Sequence, residues 1–471
     1  MRIAVLSTRD IRGGAARAAW RLFAGLREAG HETTMVVARK ASDDSAVHAP
    51  ARVDLPEQKA LDCIQDFYIK ANRTARSDTY FSLGCPGQDV SAHPAVAGAD
   101  IINLHWVAGF QSPVSMARLS ALGKPLVWTL HDQRPFTGGC HYSAGCLEYE
   151  RECAGCPQLQ EDAAGLPRAN LADQIALTQP GRITVVTPSR WLAACAGRSA
   201  MFRHSRIEVI PYSLETEVFR PRPKEQARAR WNLPMDTTVF LFGADQVGER
   251  RKGFTILLQA LERCLESPDF RERVNAGRVS FLCFGDDGRQ RPATKLPVRF
   301  LGRVDSDEEI AGLYSAADVF LLPSLEDNLP NTMIESMCCG TPVITSHAGG
   351  MPDVVIDGHN GLLIAPGEPA PLAEAIRRLV GDQEEREKMA ENCRREMPAR
   401  FALARQTQDY LRLFEELHAT PRVSPGLAPE LPTGRFAGFA PQFAAIFDPL
   451  LRQSKRKRRD RRWGPLARWL P

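Results

Sequence analysis

The stretch from Asp318 to Ile364 constrains this chain most. An apolar segment, Val319 to Leu322, stops at Pro323 and Ser324, and an acidic polar loop follows. A helix-forming run starts at Thr332 and ends at Gly340, and a second β-branched segment spans Pro342 to Thr345. Two buried strands joined through a helix pair in parallel, and a parallel sheet needs helices on both faces. The segment is therefore a βαβ unit. Its loop leaves the carboxyl end of a strand and enters the amino end of a helix. Open α/β sheets hold ligands at that edge, and free N–H groups there attract phosphate. Asp327 falls in the loop and Glu335 about one turn into the helix, both turned to one crevice. Two carboxylates beside a helix N-terminus suit a ligand that carries hydroxyls and phosphates.

The rest of the chain repeats the theme. Ile3 to Ser7 reads as a buried strand, Gly13 and Gly14 as a turn, Ala15 to Ala29 as a helix ending at Gly30, and Glu32 to Val37 as the next strand. Further strands are expected at Ile101 to Leu104, Pro125 to Leu130, Ile183 to Thr187 and Ile207 to Pro211, which fill a Rossmann-like domain over residues 1–211. A second one is expected over 212–400, with strands Thr238 to Phe242, Val279 to Phe284, Val298 to Leu301 and Val319 to Leu322. Residues 401–420 read as a crossover helix and 421–471 as a basic tail.

Composition fits a two-domain α/β enzyme: 471 residues, 44% hydrophobic and 25% charged. No apolar run approaches the roughly 18 residues of a membrane span. Arg9, Asp10 and Arg12 stand where a signal peptide needs its apolar stretch, so a cytoplasmic protein is expected. In a reducing compartment, twelve cysteines imply free thiols or metal ligation rather than a disulfide scaffold.

The Asp327–Glu335 frame resembles the nucleotide-sugar site of GT-B glycosyltransferases of family 4, which carry two acids spaced E-x7-E. The run Asp327, Asn328, Leu329, Pro330, Asn331 is closest to the colanic-acid (exopolysaccharide) subgroup. The resemblance implies two Rossmann-like domains facing across a cleft and retaining transfer from a UDP- or GDP-sugar. The acceptor it implies is a saccharide or lipid-linked saccharide, and no metal is needed at the diphosphate. In that family the first acid contacts the donor sugar and the second holds the ribose hydroxyls. Those roles pass to Asp327 and Glu335, with Asn328, Leu329, Asn331 and Thr332 lining the donor. Asp327 replaces the family's Glu and Glu326 lies one residue out of register, so either carboxylate is available to the sugar. Lys252, in Arg250-Arg251-Lys252-Gly253, matches the lysine placed on the diphosphate. Ala244 follows Gly243 where the family has an arginine, and Arg251 is the available substitute. His131, after the strand Pro125 to Leu130, matches the histidine that faces the donor sugar. Gly13 and Gly14 lie in a stretch that resembles the subgroup's acceptor-side loop and are counted with the donor-binding candidates, because glycine lets backbone approach a ligand. Two other readings use the same frame: a nucleotide-sugar epimerase or hydrolase, and a non-catalytic zinc-stabilised adaptor.

Two features lie outside the resemblance. Cys140, Cys146, Cys153 and Cys156 fall within an insertion over 136–160, and four thiolates so close in sequence can satisfy tetrahedral zinc, structural rather than catalytic. The last 51 residues hold 11 Lys and Arg against 3 Asp and Glu, net +8, which leaves the rest of the chain at −4. The basic block adjoins Trp463, Leu466, Trp469 and Leu470, so a peripheral contact with an anionic membrane is expected in preference to nucleic acid.

Overall fold

A computed structural model describes residues 1–51, 57–85, 87–286, 296–420, 436 and 438–463. It comprises two compact units. The first holds Met1–Thr187, Leu192–Val209 and the chain from Tyr410 on; the second holds Pro188–Trp191 and Ile210–Asp409.

The first unit is built on a parallel sheet of seven strands: β1 (Arg2–Arg9), β2 (Glu32–Arg39), β3 (Val47–His48), β4 (Ile101–Leu104), β5 (Leu126–Thr129), β6 (Ile183–Thr187) and β7 (Ile207–Val209). Their spatial order is β3-β2-β1-β4-β5-β6-β7. The second unit has six parallel strands: β8 (Thr238–Gln246), β9 (Val279–Asp286), β10 (Val298–Gly302), β11 (Val319–Leu322), β12 (Val343–Ser346) and β13 (Gly361–Ile364). Their order is β10-β9-β8-β11-β12-β13. Every residue of β4, β5, β6, β11 and β12 is buried. Helices cover both faces, so these strands are continuous apolar runs rather than alternating ones. In each sheet the chain order reverses at one place, between β1 and β4 and between β8 and β11. There the loops after the two strands leave in different directions and a crevice opens at the carboxyl edge. The strands expected from the sequence all form, several extended by one to four residues. The two-residue β3 and the short β13 were not expected, since neither has the length or the flanking turn residues that single out a strand.

The basic end of the chain differs from the expectation of a plain tail. Residues Pro441–Trp463 form a helix that packs on the first unit. Phe443, Phe447 and Leu450 are buried in one cluster with Leu61, Ile64, Tyr68 and Leu166. The N–H groups of Gln442 and Phe443 donate to the Asp173 carboxylate at 2.9 Å each, which caps the helix. Lys457 Nζ bonds Asn72 Oδ1 at 2.5 Å and pairs with Glu161 at 3.2 Å. Leu466, Trp469 and Leu470 lie outside the described residues. Phe447→Ala should remove about 3–5 kcal/mol from this docking. Limited proteolysis is expected to release the helix from the variant and to leave it protected in the wild type.

Candidate active site

The densest charged constellation of the second unit sits at its reversal point. The loop after β8 carries Glu249, Arg251 and Lys252 and runs into the helix Phe254–Leu265. The loop after β11 carries Glu326, Asp327 and Asn328 and runs into the helix Asn331–Cys338. The two loops are tied together by Leu325 N–H, which donates to the Arg251 carbonyl at 2.7 Å. Asp327 Oδ2 stands 2.6 Å from Lys252 Nζ and 3.0 Å from Arg251 Nη1. Arg251 also forks onto Glu249, with Nε 2.7 Å from Oε1 and Nη2 3.2 Å from Oε2. Two cations and two carboxylates thus balance each other while no donor is present. Of the neighbouring acids, Asp327 is buried and held by both cations, whereas Glu326 is half-buried and offers only its backbone carbonyl, 3.4 Å from Arg251 Nη1.

The surroundings hold this loop in place. Gly350 N–H donates to the Asp327 carbonyl at 3.0 Å, and Asn328 N–H returns to Asp327 Oδ1 at 3.1 Å. Ser189 donates to Asn328 Oδ1 at 2.6 Å. Glu335 is 5% exposed on the helix Asn331–Cys338, and the Tyr314 hydroxyl donates to its Oε2 at 3.4 Å. Leu329 is buried, and Asn331 and Thr332 open the helix half-buried. No side chain caps the first turn at Pro330 or at Gly253. The Glu249 clamp and the Ser189 contact were not foreseen. Glu249 lies two residues from Arg251, a visible signal, while Ser189 is remote in sequence.

In the first unit, His131 follows β5 and is 7% exposed. Its Nε2 lies 3.0 Å from His105 Nδ1, and His105 Nε2 lies 2.9 Å from Asn103 Oδ1. Asn103 Nδ2 donates to the Val127 carbonyl, which can only accept, so Oδ1 faces His105 and needs a proton from it. His105 therefore carries its hydrogen on Nε2, and His131 Nε2 donates to His105 Nδ1. Asn103 also donates to Thr129 Oγ1 at 3.1 Å, which meets the Tyr410 hydroxyl at 2.9 Å. Burial depresses both imidazoles, His105 well below its ordinary value and His131 to about 4 against the opposing pull of Asp132. Gly13 and Gly14 lie in the turn before the first helix, and Gly13 has φ 101°.

The depressed His131 has a consequence for stability. The unfolded chain takes up the proton near pH 6.5 and the folded one only near 4. Stability should therefore fall as the pH drops through that window, by roughly 3 kcal/mol from this group. Urea unfolding at stepped pH values checks this, and His131→Gln should flatten the acid slope.

The cysteine expectation is corrected in one respect. Cys140, Cys146, Cys153 and Cys156 do line one cavity, together with Phe81, Tyr149 and Pro167. Yet among the described residues no three His, Cys, Asp or Glu side chains stand where they could hold a metal ion, so the expected zinc ligation is not formed. The physical reason is protonation. Zinc takes thiolates. Burial, aided by the neighbouring thiols, pushes Cys140 well above its ordinary value, Cys153 up to about 12 and Cys156 upward. At neutral pH these are thiols whose sulfurs accept weak bonds, Cys153 from Gly138 N–H at 3.3 Å and Cys146 from Glu148 N–H at 3.5 Å.

Comparison with known proteins follows this geometry. Residues 237–382, which include β8, β11 and both loops, match the family described as Glycosyl transferases group 1. The second unit carries a domain of that family. The D-inositol 3-phosphate glycosyltransferase of Nocardiopsis dassonvillei is 33% identical to this chain over 200 residues, covering 40% of this chain and 45% of its own length. That of Corynebacterium urealyticum is 31% identical over 239 residues, covering 47% and 54%. The chain thus spans about half the length of the curated relatives it matches. Sucrose-phosphate synthase from Thermosynechococcus elongatus superimposes with a TM-score of 0.60 at 21% identity, over 89% of this chain and 99% of that one. Anabaena HepE in complex with UDP and glucose gives 0.58 at 17%, over 88% and 99%. Identities this low speak to the fold, which is GT-B. The matches support a group 1 domain and do not single out the colanic-acid subgroup.

Proposed function

We propose that this protein is a retaining glycosyltransferase that moves a sugar from a UDP- or GDP-sugar to a hydroxyl of a saccharide or lipid-linked saccharide. The observation that carries the reading is the pairing of Lys252 and Arg251 with Asp327 at the sheet's reversal point, between two helix N-termini, inside the segment that matches group 1. As the glycosidic bond breaks, negative charge grows on the leaving diphosphate. Lys252, Arg251 and the uncapped amides at Phe254 and Asn331 meet that charge with preplaced positive ends. The diphosphate takes the two cations over from Asp327, whose carboxylate turns to the donor sugar, while Glu335 receives the ribose hydroxyls. His131, neutral at working pH, offers a hydrogen bond rather than a charge to the sugar. The incoming hydroxyl attacks from the face the diphosphate leaves, and the diphosphate accepts its proton. Asn328, Leu329, Asn331 and Thr332 line the donor, with Gly13 and Gly14 at the backbone of the first unit.

Nucleotide release from a panel of UDP- and GDP-sugars, with and without saccharide, glycolipid and inositol phosphate acceptors, tests the reading. Release that rises only with an acceptor is expected; acceptor-independent hydrolysis or no release on any donor would overturn it. Because Lys252 and Arg251 supply the charge at the diphosphate, turnover should survive EDTA within about twofold. A loss beyond roughly tenfold would place a cation in the step.

The helix Pro441–Trp463 adds a site of action. Arg452, Lys455, Arg456, Arg458 and Arg459 are exposed on it and form a cationic face suited to an anionic membrane, at roughly 1 kcal/mol per charge. No helix among the described residues is long and apolar enough to cross a membrane. Sedimentation with phosphatidylserine vesicles should fall with rising salt and in the Lys455→Gln, Arg456→Gln, Arg459→Gln variant. Equal sedimentation of variant and wild type would remove the membrane from the proposal.

A further inference from the structure

The first unit contains a cavity beside His131 that the donor reading does not use. Trp106, Gln111, Met116, Trp128 and Arg134 are among its walls, and it encloses about 490 Å³ of empty space counted with its mouth. That lies within the range of small-molecule sites.

Two polar walls of this cavity each keep one bonding atom unmet. Gln111 is 8% exposed and donates its amide N–H to the Gln88 carbonyl at 3.1 Å, but its Oε1 accepts from nothing. Arg134 is 9% exposed; Nη1 donates to Gln174 Oε1 at 2.9 Å and Nη2 to the Leu83 carbonyl at 3.2 Å, while Nε–H has no partner. A buried orphan of this kind costs about 1–3 kcal/mol. One is an acceptor and the other a donor, and a hydroxyl, which both donates and accepts, answers either.

The aromatic walls point to the same ligand. Trp106 Nε1 donates to Asp132 Oδ2 at 2.8 Å, and Trp128 Nε1 donates to the His105 carbonyl at 3.2 Å. Both indoles are thereby fixed, and what they offer the cavity is carbon surface, suited to the C–H faces of a sugar ring. The charge balance is neutral. Arg134 is offset by Asp132, whose Oδ1 accepts from the Arg134 N–H at 2.9 Å, and burial keeps His105 and His131 uncharged.

We propose that this cavity is an acceptor subsite for a neutral, polyhydroxylated ring, a monosaccharide or cyclitol without a phosphate group. The assignment rests on the glycosyltransferase reading and adds the acceptor's charge to it. It separates this chain from the relatives named for inositol 3-phosphate. A phosphate would bring two negative charges to walls whose guanidinium is already balanced, and stripping it of water would go uncompensated.

Saturation-transfer NMR on the full-length protein tests this with myo-inositol, glucose, galactose and mannose, and with a monophosphate of each. The neutral rings should give signals and the phosphates weaker ones. Gln111→Leu keeps the side-chain volume and removes the orphan acceptor, so it should weaken neutral-ring binding about tenfold, the scale of one lost hydrogen bond to a substrate hydroxyl. Met116→Trp, which fills the cavity from its apolar side, should abolish the signal. Tighter binding of the phosphates by wild type, or neutral-ring binding unchanged in both variants, overturns the proposal. Nucleotide release by wild type, measured alongside, keeps the two readings apart. Its absence on every donor counts against glycosyl transfer, whereas ring binding decides the subsite.

Discussion

Replacing Lys252 by alanine should lower kcat/KM for the donor by about 10²- to 10³-fold, on the order of 3–4 kcal/mol of transition-state stabilisation. The ammonium sits 2.6 Å from Asp327 Oδ2, with only 16% of its side chain exposed, so it is already oriented and largely stripped of water. A charge prepared in this way acts most strongly where negative charge develops, on the leaving diphosphate, and kcat should fall along with kcat/KM. The fold should survive, because Arg251 Nη1 remains 3.0 Å from Asp327 and the carboxylate is not left without a partner. Glu335→Gln should cost a similar factor, expressed more in KM, since a ribose contact persists from ground state to transition state. Wild-type turnover by either variant, with a matched unfolding midpoint, would sink the donor-site assignment.

The second sheet was legible in the sequence because its strands are buried on both faces and appear as unbroken apolar runs, as β11 does. The acid pair was legible because loop and helix sit at fixed offsets from that strand. What the sequence could not show is how the charges pair. Lys252 and Asp327 are far apart in the chain, and only the adjacency of β8 and β11 brings them to 2.6 Å. The relay from Asn103 through His105 to His131 was hidden for the same reason. Each residue sits at the end of a different strand, and a lone histidine carries no signal of its neighbour. Cysteine spacing placed four sulfurs around one cavity but said nothing of burial, and burial decides their protonation. The basic run was read from charge alone, whereas Phe443, Phe447 and Leu450, at helical spacing just before it, carried the docking information.

The glycine after Lys252 shows how closely local backbone and chemistry are joined, and its replacement is the second large effect expected. Gly253 has φ +76°, and a Cβ built on it would lie 1.9 Å from the Pro323 carbonyl oxygen, at the start of the loop that carries Asp327. An alanine there pays about 1–2 kcal/mol for the left-handed conformation and about 1–3 more for overpacking. The Pro323 oxygen belongs to backbone at the end of β11, so a rotamer change cannot relieve the overlap, and the two loops have to move apart. Lys252, the adjacent residue, moves with them. Gly253→Ala should therefore lose about 2–5 kcal/mol in urea unfolding. It should also lose at least as much kcat/KM as Lys252→Ala, although it deletes no charge. Gly248, in the same loop, is the control: nothing lies within 4 Å of a Cβ there, and Gly248→Ala should behave as wild type. If Gly253→Ala unfolds at the wild-type midpoint and turns over donor normally, the contact between the two loops does not set the position of Lys252.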